Sequence, residues 1–130
     1  MMKDQRGLPP EFEARYEVGL GRLAVEIRAR RHGRDLLVSV GGGDSHVGAV
    51  AIDSPGGGTQ GEFYTDAMVV PGHKEEPMAR EFASRLAAAT GTTCAVVAGI
   101  HIDSATPEEI DTLVANARTG LDDLLEDLAD

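Results

Sequence analysis

PGHKEEPMAREFASRLAAATGTTCAVVAGIHIDSATPEEID, residues 71–111, changes its apolar period twice, and the fold class follows from those changes. Met78, Phe82 and Leu86 recur every four residues, with Ala79, Ala83 and Ala87 beside them. That spacing gives a helix one apolar face. Pro77 fits only in a first turn, so the helix is expected to begin near Lys74–Glu76, and Gly91 closes it. Thr92–Ile100, which holds the longest apolar run, Cys94–Ile100, reads as a buried strand. Thr106, Pro107 and Glu109 then spell a capped helix start. Ile110, Leu113, Val114, Ala117, Leu121, Leu124, Leu125 and Leu128 continue it as one stripe. Gly120 interrupts that helix at a cost of ~1 kcal/mol and marks a place for a kink.

Upstream the chain reads as strands. Tyr16, Val18 and Leu20 alternate with polar or small residues, and Leu23, Val25 and Ile27 alternate in the opposite phase. The change near Gly21 is either a bulge in one long strand or a break between two. A turn at His32-Gly33, a strand at Leu36–Val40, a loop at 41–46 and a strand at Val47–Ile52 follow. SPGGGTQG, residues 54–61, is a hairpin turn into a strand at Glu62–Val70. Residues 1–11 form a flexible leader and residues 12–130 a single domain. The expected order is β-β-β-β-α-β-α. The expected fold is a two-layer α+β domain, with a mostly antiparallel sheet and two helices on one face. Its four early strands are expected to be antiparallel. The other sheet face is then free for a homodimer.

A chain of 130 residues and 13.7 kDa is one domain's worth of sequence. With 42% apolar and 26% charged residues it is neither disordered nor fibrous. The single cysteine, Cys94, excludes an internal disulfide and paired-cysteine zinc signatures, and its setting is that of a core residue. No apolar run reaches the length of a membrane span, and residues 1–13 have no apolar stretch of a signal peptide. A cytoplasmic protein is expected. Residues 1–60 carry eight basic and eight acidic side chains, whereas residues 61–130 carry four and fourteen. A net charge of −10 argues against nucleic acid as a partner. Arg28, Arg30, Arg31 and Arg34 are the one basic cluster, read as a solvated surface or as a docking patch for an acidic group.

The chemistry gathers around three histidines in GGGDSH (41–46), PGHKEE (71–76) and AGIHID (98–103). If strand, strand, helix and strand alternate in direction, then His46, His73 and His101 all fall on one rim of the sheet. Asp44, Ser45, Glu75, Asp103 and Ser104 accompany them. Three imidazoles with the Glu75 carboxylate suit a divalent metal ion such as zinc, manganese or iron. Separate hydrogen-bonded loop histidines remain the alternative, since no HxxxH spacing ties them together. Gly42, Gly43, Asp44 and Ser45 present backbone N–H groups, and residues 73–76 open a helix. With Lys74 these suit a phosphate or carboxylate.

GGGDSHVGAVAI, PGHKEEPMAREFASRLA and AVVAGIHIDSATPEEID resemble, in that order, the LpdD-like prenylated-flavin chaperones. The resemblance covers about residues 35–115. It implies a non-catalytic protein that binds or hands over prenylated FMN to support maturation of a UbiD-type decarboxylase. A UbiX-type prenyltransferase, which makes that cofactor, is the implied second partner. His46, His73 and His101 match the family motif positions. A metal on them would bridge to the flavin phosphate. Two other readings stay open. One is a small metal-dependent enzyme with a three-histidine site and Glu75 or Asp103 as base. The other is a ligand-free subunit whose motifs shape an interface.

Overall fold

The computed structural model describes residues 11–55 and 64–129. Apart from Glu11, the expected leader lies outside them, as does the expected turn beyond Pro55 and the strand start before Tyr64. Six strands and two helices follow in the order β1 (Glu13–Val18), β2 (Val25–His32), β3 (Asp35–Gly43), β4 (Ala49–Ser54), β5 (Tyr64–Val69), α1 (Glu76–Thr90), β6 (Cys94–His101), α2 (Pro107–Ala129). The fold is α+β, as its periodicity indicates, with a mostly antiparallel sheet. The phase change near Gly21 is a break between two strands. A short 3-10 turn, Gly21–Leu23, separates β1 from β2, and the two pair antiparallel.

The strand order is β1-β2-β3-β6-β4-β5. The early strands therefore do not form one antiparallel run. β6 lies between β3 and β4, parallel to the first and antiparallel to the second. The most apolar strand takes a central place, where it gains a partner on each side. β3 is also longer than expected. Gly41, Gly42 and Gly43 continue its ladder beside Gly99, Ile100 and His101, rather than forming a loop.

Alternation decides the faces. Val25, Ile27, Leu36, Val38, Val40, Ala49, Ala51, Val96 and Ala98 point to one buried side. On that side α1 covers β4, β5 and β6, while α2 covers β1 and β2. Phe82, Leu86, Leu121 and Leu124 fill the space between the layers. The helices are tied together by Arg118 to Glu81 and Arg85 to Asp122. Thr106 caps α2 through Glu109 N–H, and Glu109 returns a carboxylate to Thr106 N–H. α2 runs unbroken through Gly120. A Cβ there would stand 2.8 Å from Ile27 Cδ1, so the missing side chain lets α2 close onto β2.

Candidate functional site

The chain must pass from β3 to β4 across the end of β6, and this crossing builds the rim. The backbone of residues 44–48 lies on β6: Asp44 N–H bonds His101 O, His46 N–H bonds Gly99 O, and Gly48 N–H bonds Ala98 O. Gly99 permits the approach, because a Cβ there would overlap the His46 carbonyl. Gly48 has the same role toward Glu75, whose carboxylate rests where a Cβ would stand. β5 ends at Val69 on the same rim, and residues 70–75 lead directly into α1. His73 N–H bonds Val70 O and fixes that turn.

His46, His73 and His101 thus share one rim, as alternating chain direction requires. They do not share one point. The rings of His46 and His73 stand 4.8 Å apart, centroid to centroid, tilted by 55°. His101 Nε2 turns to Asp103 Oδ1 at 3.1 Å, on an exposed loop. Among the described residues no three His, Cys, Asp or Glu side chains stand close enough to share a metal ion. The expected metal set His46, His73, His101 and Glu75 is therefore a cluster of neighbours and not a coordination shell in this structure.

The His46–Glu75 pair has the most distinctive chemistry. His46 Nδ1 meets the Asp44 carbonyl at 3.0 Å, a contact that puts a proton on that nitrogen. Nε2 then faces Glu75 Oε1 at 3.3 Å, but without hydrogen-bond geometry. His46 Nε2 and Glu75 Oε2 are both buried atoms with no hydrogen-bond partner. Buried polar atoms are ordinarily satisfied, and each such exception has a cost. Both belong to residues that line one cavity.

That cavity has a volume of about 810 Å³ and lies between the rim and the two helices. This is the size of pockets that take cofactors. One end is polar, with Asp44, Ser45, His46, His73, Lys74, Glu75 and His101. The wall beyond is apolar, with Met78, Ile100, Ile102, Ile110, Leu113 and Val114. Arg118 and its ion-pair partner Glu81 also line the cavity. Gly42 and Gly43 do not line it. Gly42 is buried in β3, and the N–H groups of Asp44, Ser45 and His46 already bond to protein carbonyls. The glycine run therefore shapes the strand end and offers little as an anion cradle. Lys74 stands exposed beside the first turn of α1, where unsatisfied N–H groups favour an anion.

The motif at residues 103–109 is held from outside by Arg22. Its guanidinium bonds Asp103 O and both carboxylate oxygens of Glu109. The Arg22 hydrogen bond, aided by Thr106 N–H, holds the Glu109 carboxyl below its ordinary range. This clamp orients the loop after His101, where Ser104 adopts a φ of 53°.

A prenylated flavin chaperone LpdD-like domain matches residues 19–129, which takes in the rim, both helices and the whole cavity. The chain belongs to the LpdD-like prenylated flavin chaperone family. This confirms the resemblance carried by the three histidine motifs. No curated protein matches the chain. Among solved structures, one similar chain comes from a chaperone complex for yeast 20S proteasome assembly. It has a TM-score of 0.64 and 16% identity, over 94% of this chain and 100% of that one. At that identity the likeness establishes the fold alone.

In this LpdD-like domain the positions missed by sequence reasoning are apolar. Ile110 and Val114 read as part of a core stripe, yet they line the cavity, and Ile110 is 51% exposed. The stripe on α2 is wider than one layer of sheet can cover, and that width was the available signal. Gly48 and Gly99 carried no signal of their own, since their role is set by a crossing that only the strand order reveals.

Proposed function

We propose that this LpdD-like protein binds prenylated FMN in the rim cavity and delivers it to a UbiD-type decarboxylase, without catalysing a reaction itself. The observation that carries this reading is the joining of unpartnered polar atoms, His46 Nε2 and Glu75 Oε2, to an apolar wall in one cavity of about 810 Å³. A prenylated flavin has both natures. Its tricyclic and prenyl-derived rings suit Met78, Ile102, Ile110 and Leu113. Its ribityl hydroxyls are donors for Glu75 and His46. Its phosphate suits Lys74, His73 and His101 at the open polar end, with Asp44 and Ser45 at its border. A UbiX-type prenyltransferase is the corresponding source of the cofactor, and the cytoplasm the corresponding place.

A divalent metal bridging the histidines to the phosphate has weaker support. His46, His73 and Glu75 are near one another, but His101 is directed away to Asp103. Elemental analysis of the purified protein separates the two forms of the proposal. Delivery is tested by mixing cofactor-loaded protein with a cofactor-free UbiD-type decarboxylase. Decarboxylation should appear faster than with the same amount of free prenylated FMN. Equal rates would contradict a delivery role.

A further inference from the structure

The rim is not the only polar part of the cavity. Glu81 on α1 and Arg118 on α2 line it too. Arg118 Nε donates to Glu81 Oε2 at 3.1 Å and Nη2 to Oε1 at 2.9 Å, a two-bond fork between the helices. Both helices start at the rim, α1 at Glu76 and α2 at Pro107, just after the loop that follows His101. At a rise of ~1.5 Å per residue, Glu81 stands ~8 Å along α1 from Glu76, and Arg118 ~12 Å along α2 from Ile110. Met78 on one helix and Leu113 and Val114 on the other line the intervening turns. The helices have a second tie one turn on, Arg85 to Asp122, which takes no part in the cavity.

The fork leaves both groups with capacity to spare. A carboxylate has roughly four lone-pair sites and a guanidinium about five N–H donors. The fork uses two of each. Arg85 Nη1, at 3.7 Å from Glu81 Oε2, is too far to take a third acceptor site. An acceptor beside a donor matches a ligand edge that carries an N–H beside a C=O. We propose that Glu81 and Arg118 read the pyrimidine edge of the flavin, Glu81 accepting its N3–H and Arg118 donating to the adjoining C4 carbonyl. This rests on prenylated FMN occupying the cavity, as argued above, and adds which way round it lies.

Charge and hydrogen bonding fix that direction. Of the two cations that line the cavity, Arg118 is already offset by Glu81, whose carboxylate repels a phosphate. Lys74, at the rim, is not paired among the described residues, and His73 and His101 stand with it. The phosphate therefore belongs at the rim and the uncharged imide at the Glu81–Arg118 pair. Prenylation adds its ring at N5 and C6 and leaves the imide edge free. Once out of water, an N–H and a C=O without partners cost affinity. The apolar wall supplies none, and the pair supplies both.

Fluorescence titration with prenylated FMN and with prenylated FMN methylated at N3 tests this. The methyl group removes the proposed donor, so it should weaken binding to the wild type about tenfold or more. Glu81→Met, which keeps the length of the side chain without its acceptor, should weaken binding of the parent cofactor by a similar factor. In that variant the methyl group should no longer matter, a coupling that a structural ion pair would not produce. Arg118→Met should raise the C4 carbonyl stretching frequency of the bound flavin. Thermal melts should show both variants folded, since Arg85 and Asp122 still join the helices. Equal affinity of the wild type for the two cofactors, or the same methyl penalty in Glu81→Met, overturns the proposal while leaving the cavity as the flavin site. No binding of prenylated FMN by the wild type overturns it together with the reading on which it rests.

Discussion

Oε1 of Glu75 stands 3.3 Å from Nε2 of His46, across the gap between the start of α1 and the loop that crosses β6. Neither element makes this contact alone. The loop brings His46 because Gly99 lets it lie flat on β6, and Glu75 fits because Gly48 has no side chain. The pair is thus a product of tertiary structure, and both residues line the cavity whose wall beyond is apolar.

Glu75→Gln and His46→Ala should therefore weaken prenylated FMN binding. Losing one hydrogen bond to a charged group costs about 1.5–3 kcal/mol. That corresponds to ~10–100-fold in Kd. The thermal midpoint should change little for Glu75→Gln, because Oε2 has no partner to lose, whereas His46→Ala also loses the Nδ1 contact to Asp44 O and should lower it modestly. Isothermal titration beside a thermal melt checks both. A large fall in stability with unchanged affinity would mark the pair as structural.

Gly99→Ala should do the reverse. The new methyl group overlaps the His46 carbonyl, so the loop must lift from β6. Overpacking of this kind costs about 1–3 kcal/mol. Urea denaturation should show that loss, with affinity falling as His46 moves. A midpoint equal to wild type would show that the loop is not seated as described.

The Arg22 clamp gives a pH dependence. Its hydrogen bond lowers the Glu109 carboxyl pKa in the folded state. The stabilisation is then present above the unfolded value, ~4.3. It is lost as pH falls through the lower folded value. Carboxyl carbon chemical shifts should place the Glu109 titration below that of an unperturbed glutamate, and Arg22→Ala should return it to the ordinary range. An unshifted midpoint in the wild type would remove the clamp from the site's support.

Cys94 should be silent toward thiol reagents. It is fully buried, and burial pushes its thiol pKa up, against the opposing pull of hydrogen bonds from Thr90 and Thr92. Labelling with DTNB should await unfolding, and its rate should rise with urea as global stability falls. Rapid labelling under native conditions would contradict the packing of β6.

Much of this was legible in order along the chain. The four-residue period of Met78, Phe82 and Leu86 and the Thr106–Glu109 box marked both helices, because each rests on local contacts. The shared rim of His46, His73 and His101 followed from alternating direction alone, which survives an error in strand order. The place of β6 between β3 and β4 did not follow, since pairing order depends on contacts far apart in sequence. Gly41–Gly43 read as a loop because glycine carries no apolar alternation, although Ile100 and His101 hold two of them in a ladder. The metal expectation failed to find a shell for a similar reason. A common rim brings side chains within about a cavity's width, and only their rotamers and partners bring them to one point. His101 has its partner in Asp103.

The most direct measurement is equilibrium titration of the purified protein with prenylated FMN and with plain FMN, followed by flavin absorbance and fluorescence. Saturable binding of one prenylated FMN per chain, tighter than FMN and weakened by Ile110→Asp at the apolar wall, is the expected result. No saturable binding of either flavin, or binding indifferent to Ile110, Glu75 and His46 alike, would contradict a cofactor site at this rim.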